Sequence, residues 1–242
     1  MKFLNLGCGT KTCDRPGVVN IDLSILLRIK RSALLSKLVP IILNGERLKK
    51  FNALPENILV HDLSTGIPFD DNSVDVVYHS HILEHLDRDI ARGFLLEVKR
   101  VLRPGGIHRI VLPDFEFVCK RYIAHIDASD SNSGEAAKHD SFVGEVIEQS
   151  VRREAAGTSH QRPLRRFIEN ILLGDARKRG ETHQWMYDRV SLRSILEELG
   201  YSEVVLQHFD SSLVVGWNGY GLDVDENSDE YKPGSLYVEA VK

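Results

Sequence analysis

The chain is poor in cysteine: Cys8, Cys13 and Cys119 are the three in 242 residues. They are too few and too irregular for a disulfide framework, and Cys8 with Cys13 lacks the usual zinc-ligand spacing. That usage fits a reducing compartment, and a cytoplasmic setting is expected. No signal peptide is evident ahead of the first strand, and no apolar run reaches the roughly 18 residues that a membrane span needs. A strong charge of one sign is also missing. The net charge of −4 gives no general reason to expect nucleic acid as a partner. Apolar residues at 42% and charged residues at 27% are ordinary for a globular chain long enough to bury one large core.

What the sequence does have is alternation. β-rich runs fall at 2–6 (KFLNL), 18–21 (VVNI), 58–61 (ILVH), 74–78 (VDVVY) and 107–112 (IHRIVL), separated by stretches of helical pattern. Such alternation indicates a parallel sheet covered by helices on both faces, an α/β fold in one domain over residues 1–242. After the fourth run the spacing predicts a helix over about 81–102. Ser80 would cap it, Leu83, Leu86, Ile90, Phe94 and Val98 would form its apolar face, and Pro104-Gly105-Gly106 would stop it. Nearer the C-terminus Ser191 is expected to cap a helix through Leu199 that Gly200 ends. The runs at 204–209 and 235–241 have no helix between them and imply an antiparallel hairpin at the sheet edge.

Two segments break the alternation. Residues 24–52 carry Arg28, Lys30, Arg31, Lys37, Arg47, Lys49 and Lys50 against Glu46, about +6 in a chain of −4. This basic amphipathic insertion can lie on an anionic membrane surface or pack as a cover helix with a solvated face. Residues 114–188 are too long for a plain loop and read as a helical lid insertion. An acidic loop with Asp223, Asp225, Glu226, Asp229 and Glu230 reads as solvated and lacks EF-hand spacing.

In an open parallel sheet, ligands bind beyond the carboxyl ends of the strands. Gly7-Cys8-Gly9 follows the first strand and lets backbone approach a ligand. Thr12 occupies the position of the third glycine of a dinucleotide fingerprint, which counts against a nicotinamide cofactor. Asp22 ends the second strand, placed to accept from ribose hydroxyls. Asp62 ends the third, placed to accept from a purine amine beside the backbone of Leu63. Together they describe a nucleoside pocket. The fourth strand runs into HSHILEHL, whose His81-x-x-Glu84-His85 has the spacing of an inverted zinc-protease signature. A zinc hydrolase would need a further ligand, for which Glu145, Glu148 and Glu154 are candidates, and would leave Gly7, Asp22 and Asp62 without a task.

The runs FLNLGCGT, VVNIDLS, ILVHDLSTGIPFDDNSVDVVYHSHILEHL and VLRPGGIHRIVLPD resemble successive motifs of the class I S-adenosylmethionine-dependent methyltransferases, in particular the type 11 group. The resemblance covers residues 2–114 and extends to HQWMYDRVSLRSILEELGY and YKPGSLYVEAVK. It implies a Rossmann-like sheet of seven strands, mostly parallel, whose last two form the antiparallel hairpin. It also implies S-adenosylmethionine as cofactor, with Gly7, Cys8 and Gly9 along its methionine part, Asp22 and Leu23 at the ribose, and Asp62 and Leu63 at the adenine. Asn5 stands where the family often has an acid and can still accept a hydrogen bond. With the first strand at the very start of the sequence, the basic segment and the lid are expected to cover the pocket.

A sulfonium methyl is already activated, so catalysis is mainly placement of the acceptor and exclusion of water. For a hydroxyl acceptor a neutral histidine suits proton removal. His81 is the candidate base or orienter, with His79 nearer the cofactor and His183 a rival base. Trp185 and Tyr187 either form a platform for a sugar ring or anchor the lid. The expected activity is methylation of a small molecule, such as a sugar or nucleotide-linked sugar in a cell-surface pathway, with a lipid-linked acceptor as the second choice. A zinc hydrolase and a non-catalytic cofactor-binding module are the alternatives. The methyltransferase reading assigns no metal ligands, although some quinone-pathway relatives bind a divalent metal through a similar acid-histidine motif.

Overall fold

Seven strands form one sheet in the computed structural model, which describes residues 1–23, 25–32, 34–37, 39–42, 45–52, 55–131, 138–149 and 183–242. They are β1 (Phe3–Leu6), β2 (Val18–Asp22), β3 (Ile58–Val60), β4 (Val74–Ser80), β5 (Leu102–Pro113), β6 (Glu203–Gln207) and β7 (Ser235–Val241), in the order β3-β2-β1-β4-β5-β7-β6. β1 to β5 pair in parallel, and β7 runs antiparallel between β5 and β6. Strand order reverses between β1 and β4, where Leu6 lies beside His79. A crevice at this switch point is where such a sheet receives its ligand.

Alternating side chains make two cores. Leu4, Leu6, Val77, Ile110 and Leu112 face one side, covered by α4 (Arg88–Val101) and the last helix, Arg189–Glu198. Phe3, Val76, Tyr78, Val111 and Tyr237 face the other. There the connection from β1 to β2, residues 7–17, is a loop rather than a crossover helix. Residues 209–222 fill the space with Phe209, Val214, Trp217 and Leu222. Arg109 fastens this segment to the sheet. It is fully buried, 2.8 Å from Asp223 and 2.9 Å from Glu239, with its guanidinium 4.2 Å from the Trp217 ring centre. Asp223 of the acidic loop is therefore a buried partner and not a solvated charge.

The basic segment folds as α1 (Ile25–Arg31), α2 (Val39–Ile42) and α3 (Gly45–Asn52). Leu27 of α1 packs on Cys8 and Ile58, so part of the segment is a cover, while Leu34 and Leu35 stay exposed. Of the lid, α5 (Phe115–Ser131) and α6 (His139–Gln149) pack together, with Arg121 2.8 Å from Glu145. Glu154, one of the candidate further ligands of a zinc hydrolase, lies outside the described residues.

Two helix starts differ from expectation. The helix after β4 begins at Arg88, not His81. Residues 81–87 instead include a single 3₁₀ turn, Leu83–His85, and Ser80 remains the last residue of β4. The helix ends as expected near Leu102, but Pro104-Gly105-Gly106 lies inside β5. The last helix, α7 (Arg189–Glu198), is capped by Asp188, whose carboxylate accepts from the Val190 and Ser191 amides; Ser191 is the reciprocal member of the capping box.

Candidate functional site

β1 delivers the chain into a turn that needs glycine. Gly7 and Gly9 have φ of 56° and 53°, and a Cβ on Gly7 would run into the Ile82 side chain. The loop is tied to β2 at two points. The Cys8 amide donates to Ile21 O at 3.2 Å, and the Gly9 amide donates to Asp22 Oδ2 at 2.7 Å. The Cys8 thiol is buried, which together with the nearby Asp22 charge pushes its pKa up to about 12 and leaves it inert. Asn5, buried, donates to Lys11 O and Asn20 Oδ1, both at 2.9 Å, and so holds the loop's far end. At the end of β3, Asp62 caps the turn Leu63–Thr65 by accepting from the Ser64 amide at 3.0 Å, and hydrogen bonding to Ser64 lowers its pKa.

β4 supplies the other wall. His81 is held at φ 54°, a left-handed conformation uncommon outside glycine and asparagine, by its amide bond to Val111 O at 2.8 Å. Its Nε2 lies 3.0 Å from Ser235 Oγ, and that hydroxyl donates to Lys232 O at 2.7 Å. Ser235 must then accept from His81, so the network assigns the proton to Nε2 and leaves Nδ1 bare, 3.4 Å from Glu84 Oε1. Burial, then the charges of Lys232, His85 and His183, lower the His81 pKa to about 3. Burial raises that of Glu84 to about 8.

The glycine loop and His81 line one cavity of about 250 Å³, which Asn5, Cys8 and Thr10 also border. Asp22 sits at its rim through the bond to Gly9. Leu23, Asp62 and Leu63 lie further along the same sheet edge, at the ends of β2 and β3, and do not line the cavity. His79 does not reach it either. One residue before Ser80, it faces the opposite side of the sheet, fully buried, with its ring 5.2 Å edge-on to Phe94 and 5.1 Å from His108. Cofactor contact by the His79 side chain is therefore withdrawn, because strand alternation sends it into the core.

The sequence reading missed Lys11, Tyr78, Tyr231 and Lys232 in the cavity wall. Lys11 Nζ donates to Val224 O at 2.6 Å and lies 4.5 Å above the Tyr231 ring. Among the described residues, residues 224–232 thus join the cover at this end of the sheet, beside Leu27 of the basic segment, which packs on Cys8. Lys232 is partly buried, which lowers its pKa.

Residues 33–110 match the family model described as a methyltransferase domain. That match spans 78 of the 242 residues. The cradle at Gly7 lets a ligand approach the backbone closely, and the carboxylate of Asp22 stands beside it. The matched stretch includes Asp62, His81 and Glu84 and begins beyond the glycine loop. Similar solved structures include an S-adenosylmethionine-dependent methyltransferase from Archaeoglobus fulgidus at 16% identity, covering 100% of this chain and 86% of that one with a TM-score of 0.46. A methyltransferase from Mesorhizobium loti is 14% identical, covering 100% and 90% at 0.42, and the DhpI complex with SAH is 17% identical, covering 99% and 75% at 0.45. At that distance the strand order, and not the likeness, carries the fold. No curated protein matches the sequence.

The zinc-protease arrangement is not formed, because His81 and His85 are not on one helix face. His183 stands beside His85, ring centres 5.0 Å apart, and does not line the glycine loop's cavity. Trp185 and Tyr187 border a separate cavity of about 620 Å³ with Arg88 and Arg92. Tyr187 is only 2% exposed and belongs to the core, whereas Trp185 is partly exposed with Arg88 4.4 Å over its ring.

Proposed function

We propose that the chain is an S-adenosylmethionine-dependent methyltransferase that acts on a small molecule bearing a hydroxyl, a sugar or nucleotide-linked sugar of a cell-surface pathway; the methyltransferase domain model matched by residues 33–110 supports the reaction class. The observation that supports this reading best is the single cavity that joins the glycine loop to His81. S-adenosylmethionine supplies a methyl group already activated on a sulfonium, so the chain's residues have chiefly to position and to exclude water. Asp22 accepts from the ribose hydroxyls. Asp62 accepts from the adenine amine while the Leu63 backbone borders the ring. Lys232 faces the carboxylate of the methionine part. His81, fixed through Ser235, orients the acceptor hydroxyl, and Trp185 offers a flat apolar face in the separate cavity that it lines. His183 does not line the cavity and is the weaker choice for proton removal.

Exposed Leu34 and Leu35 among the exposed basic residues Arg28, Arg31 and Lys37 favour contact of 24–52 with an anionic membrane. Among the described residues no helix is long and apolar enough to cross one. Co-sedimentation with phosphatidylserine vesicles but not with neutral ones is the expected result, and equal recovery from both removes the membrane reading.

Calorimetric titration with S-adenosylhomocysteine, followed by a methylation screen over sugars and sugar nucleotides, tests the site. Asp22→Ala should weaken binding about tenfold or more, as loss of a charged hydrogen-bond acceptor does. His81→Ala should bind normally and lose turnover. Near-normal turnover in His81→Ala would remove its role, and failure of the wild type to bind would remove the site assignment.

A further inference from the structure

Glu84 presents an unsolved problem in the fold as described. Its side chain is 2% exposed, and neither carboxylate oxygen receives a hydrogen bond. A carboxylate buried in this way is costly unless paired or bound to a metal. The groups around it are not scattered. One ligand atom from each of Glu84, His85 and His183 lies within 4.8 Å of the others, Glu84 buried and the two histidines partly so. Those residues come from two distant parts of the chain. The segment that carries His183 is docked by main-chain bonds, with the Gln184 and Trp185 amides donating to Glu84 O at 2.6 and 3.3 Å. The pairing of Glu84 with His183 is thus built into the backbone.

We propose that Glu84, His85 and His183 bind one divalent first-row transition metal ion. Two imidazoles and one carboxylate suit zinc, iron(II), cobalt(II) or manganese(II), and do not suit magnesium or calcium, which prefer oxygen ligands throughout. Around such an ion at ~2.0–2.2 Å the donor atoms stand roughly 3–4 Å apart, so the three need close by only about an ångström. The partly exposed histidines leave the remaining coordination positions to water. This set is not the helical histidine pair of a zinc protease: His81 lies 3.4 Å from Glu84 and on the cavity side, next to the ion rather than bound to it. The ion neutralises the buried carboxylate and pins residues 183–188 to the turn behind His81. It therefore acts as a positioning element for both cavity walls, whichever acceptor is used.

The test uses the full chain, stripped with chelator and dialysed against zinc, with metal content measured and the cobalt(II) form examined by visible absorption. One zinc per chain is expected, with a cobalt spectrum of low-coordinate nitrogen and oxygen ligands. Glu84→Gln and His183→Ala should each weaken zinc binding by more than about 100-fold, beyond what loss of an outer-shell partner causes. His208→Ala, which removes an exposed histidine paired with Asp210, should leave it unchanged. His183→Ala should still bind S-adenosylhomocysteine, which shows that it is folded. Absence of stoichiometric zinc in the wild type overturns the proposal, as does binding that survives both Glu84→Gln and His183→Ala or that is lost in His208→Ala. Because metal content is read without turnover, its failure is distinguishable from failure of the methyltransferase site assignment.

Discussion

His79 and His81 are two residues apart yet do different work. Both were legible as residues at the end of the fourth strand, but the strand ends at Ser80 and His81 turns into a left-handed conformation, so its ring swings to the cavity while that of His79 enters the core. A single φ decides this, and no composition or spacing reports it. His79 now faces Phe94 and His108, and His108 Nδ1 lies 3.0 Å from the Tyr201 hydroxyl. Burial lowers the His79 pKa to about 3, and burial together with His79 puts that of His108 well below its ordinary value. A folded state that binds these protons more weakly than the unfolded chain is favoured fully above the unfolded value near 6.5, and that stability is lost as pH falls below it towards 3. Each such group contributes a slope of about 1.4 kcal/mol per pH unit in that window. Urea unfolding of the wild type and of His79→Leu at pH 7.5, 6.0 and 5.0 checks this, since the difference between them cancels the titrating groups other than His79 and the His108 beside it. The wild type should lose stability relative to the variant by about one such slope per unit below pH 6. Parallel curves would show that His79 does not stay neutral.

At the scale of elements, the strands were readable because buried parallel strands are short apolar runs, and all seven lie where such runs predict them. The caps and covers were not. Asp188 took the capping position predicted for Ser191 because an Asp three residues before a Ser can make the reciprocal box, and both residues favour that role. The acidic loop was misread for a different reason: the partner of Asp223 is Arg109, which in sequence looks like a polar interruption of a core strand. Arg109 stands in register between Tyr78 and Glu239, and the Tyr78 hydroxyl donates to Asp223 at 2.7 Å. Arg109 also donates to His208 O and Ser211 O, so one side chain joins β5, β7 and the 208–223 segment. Arg109→Leu leaves two buried carboxylates without their cation and should destabilise the fold by about 3–5 kcal/mol. Chemical denaturation measures it. A loss under about 1 kcal/mol would mean that the segment is held by its aromatic packing alone.

For the whole molecule, the sheet order puts the turns after β1, β2, β3 and β4 along one edge, and that edge was predictable from the motifs. Which part of the chain closes over it was not, because closure depends on contacts between residues some 200 positions apart. The short 7–17 connection leaves no helix above β1, and the space is taken by the stretch between β6 and β7. Lys11 bridges to Val224 and Tyr231, and Lys232 lies behind His81. A ligand seated on Gly7-Gly9 thus touches the cover directly, and bound ligand and closed cover stabilise each other. Hydrogen exchange with and without S-adenosylhomocysteine should show slower exchange at residues 7–11 and 224–232 together, while β6 is unchanged. Protection confined to 7–11 would mean that the cover does not respond to the cofactor. Lys11→Met then separates cover from cradle: it removes the tie to Val224 and Tyr231 but leaves Gly7, Gly9 and Asp22 in place. The variant should retain protection at 7–10 on ligand binding and lose it at 224–232, with weaker affinity in proportion to the closure that is forgone.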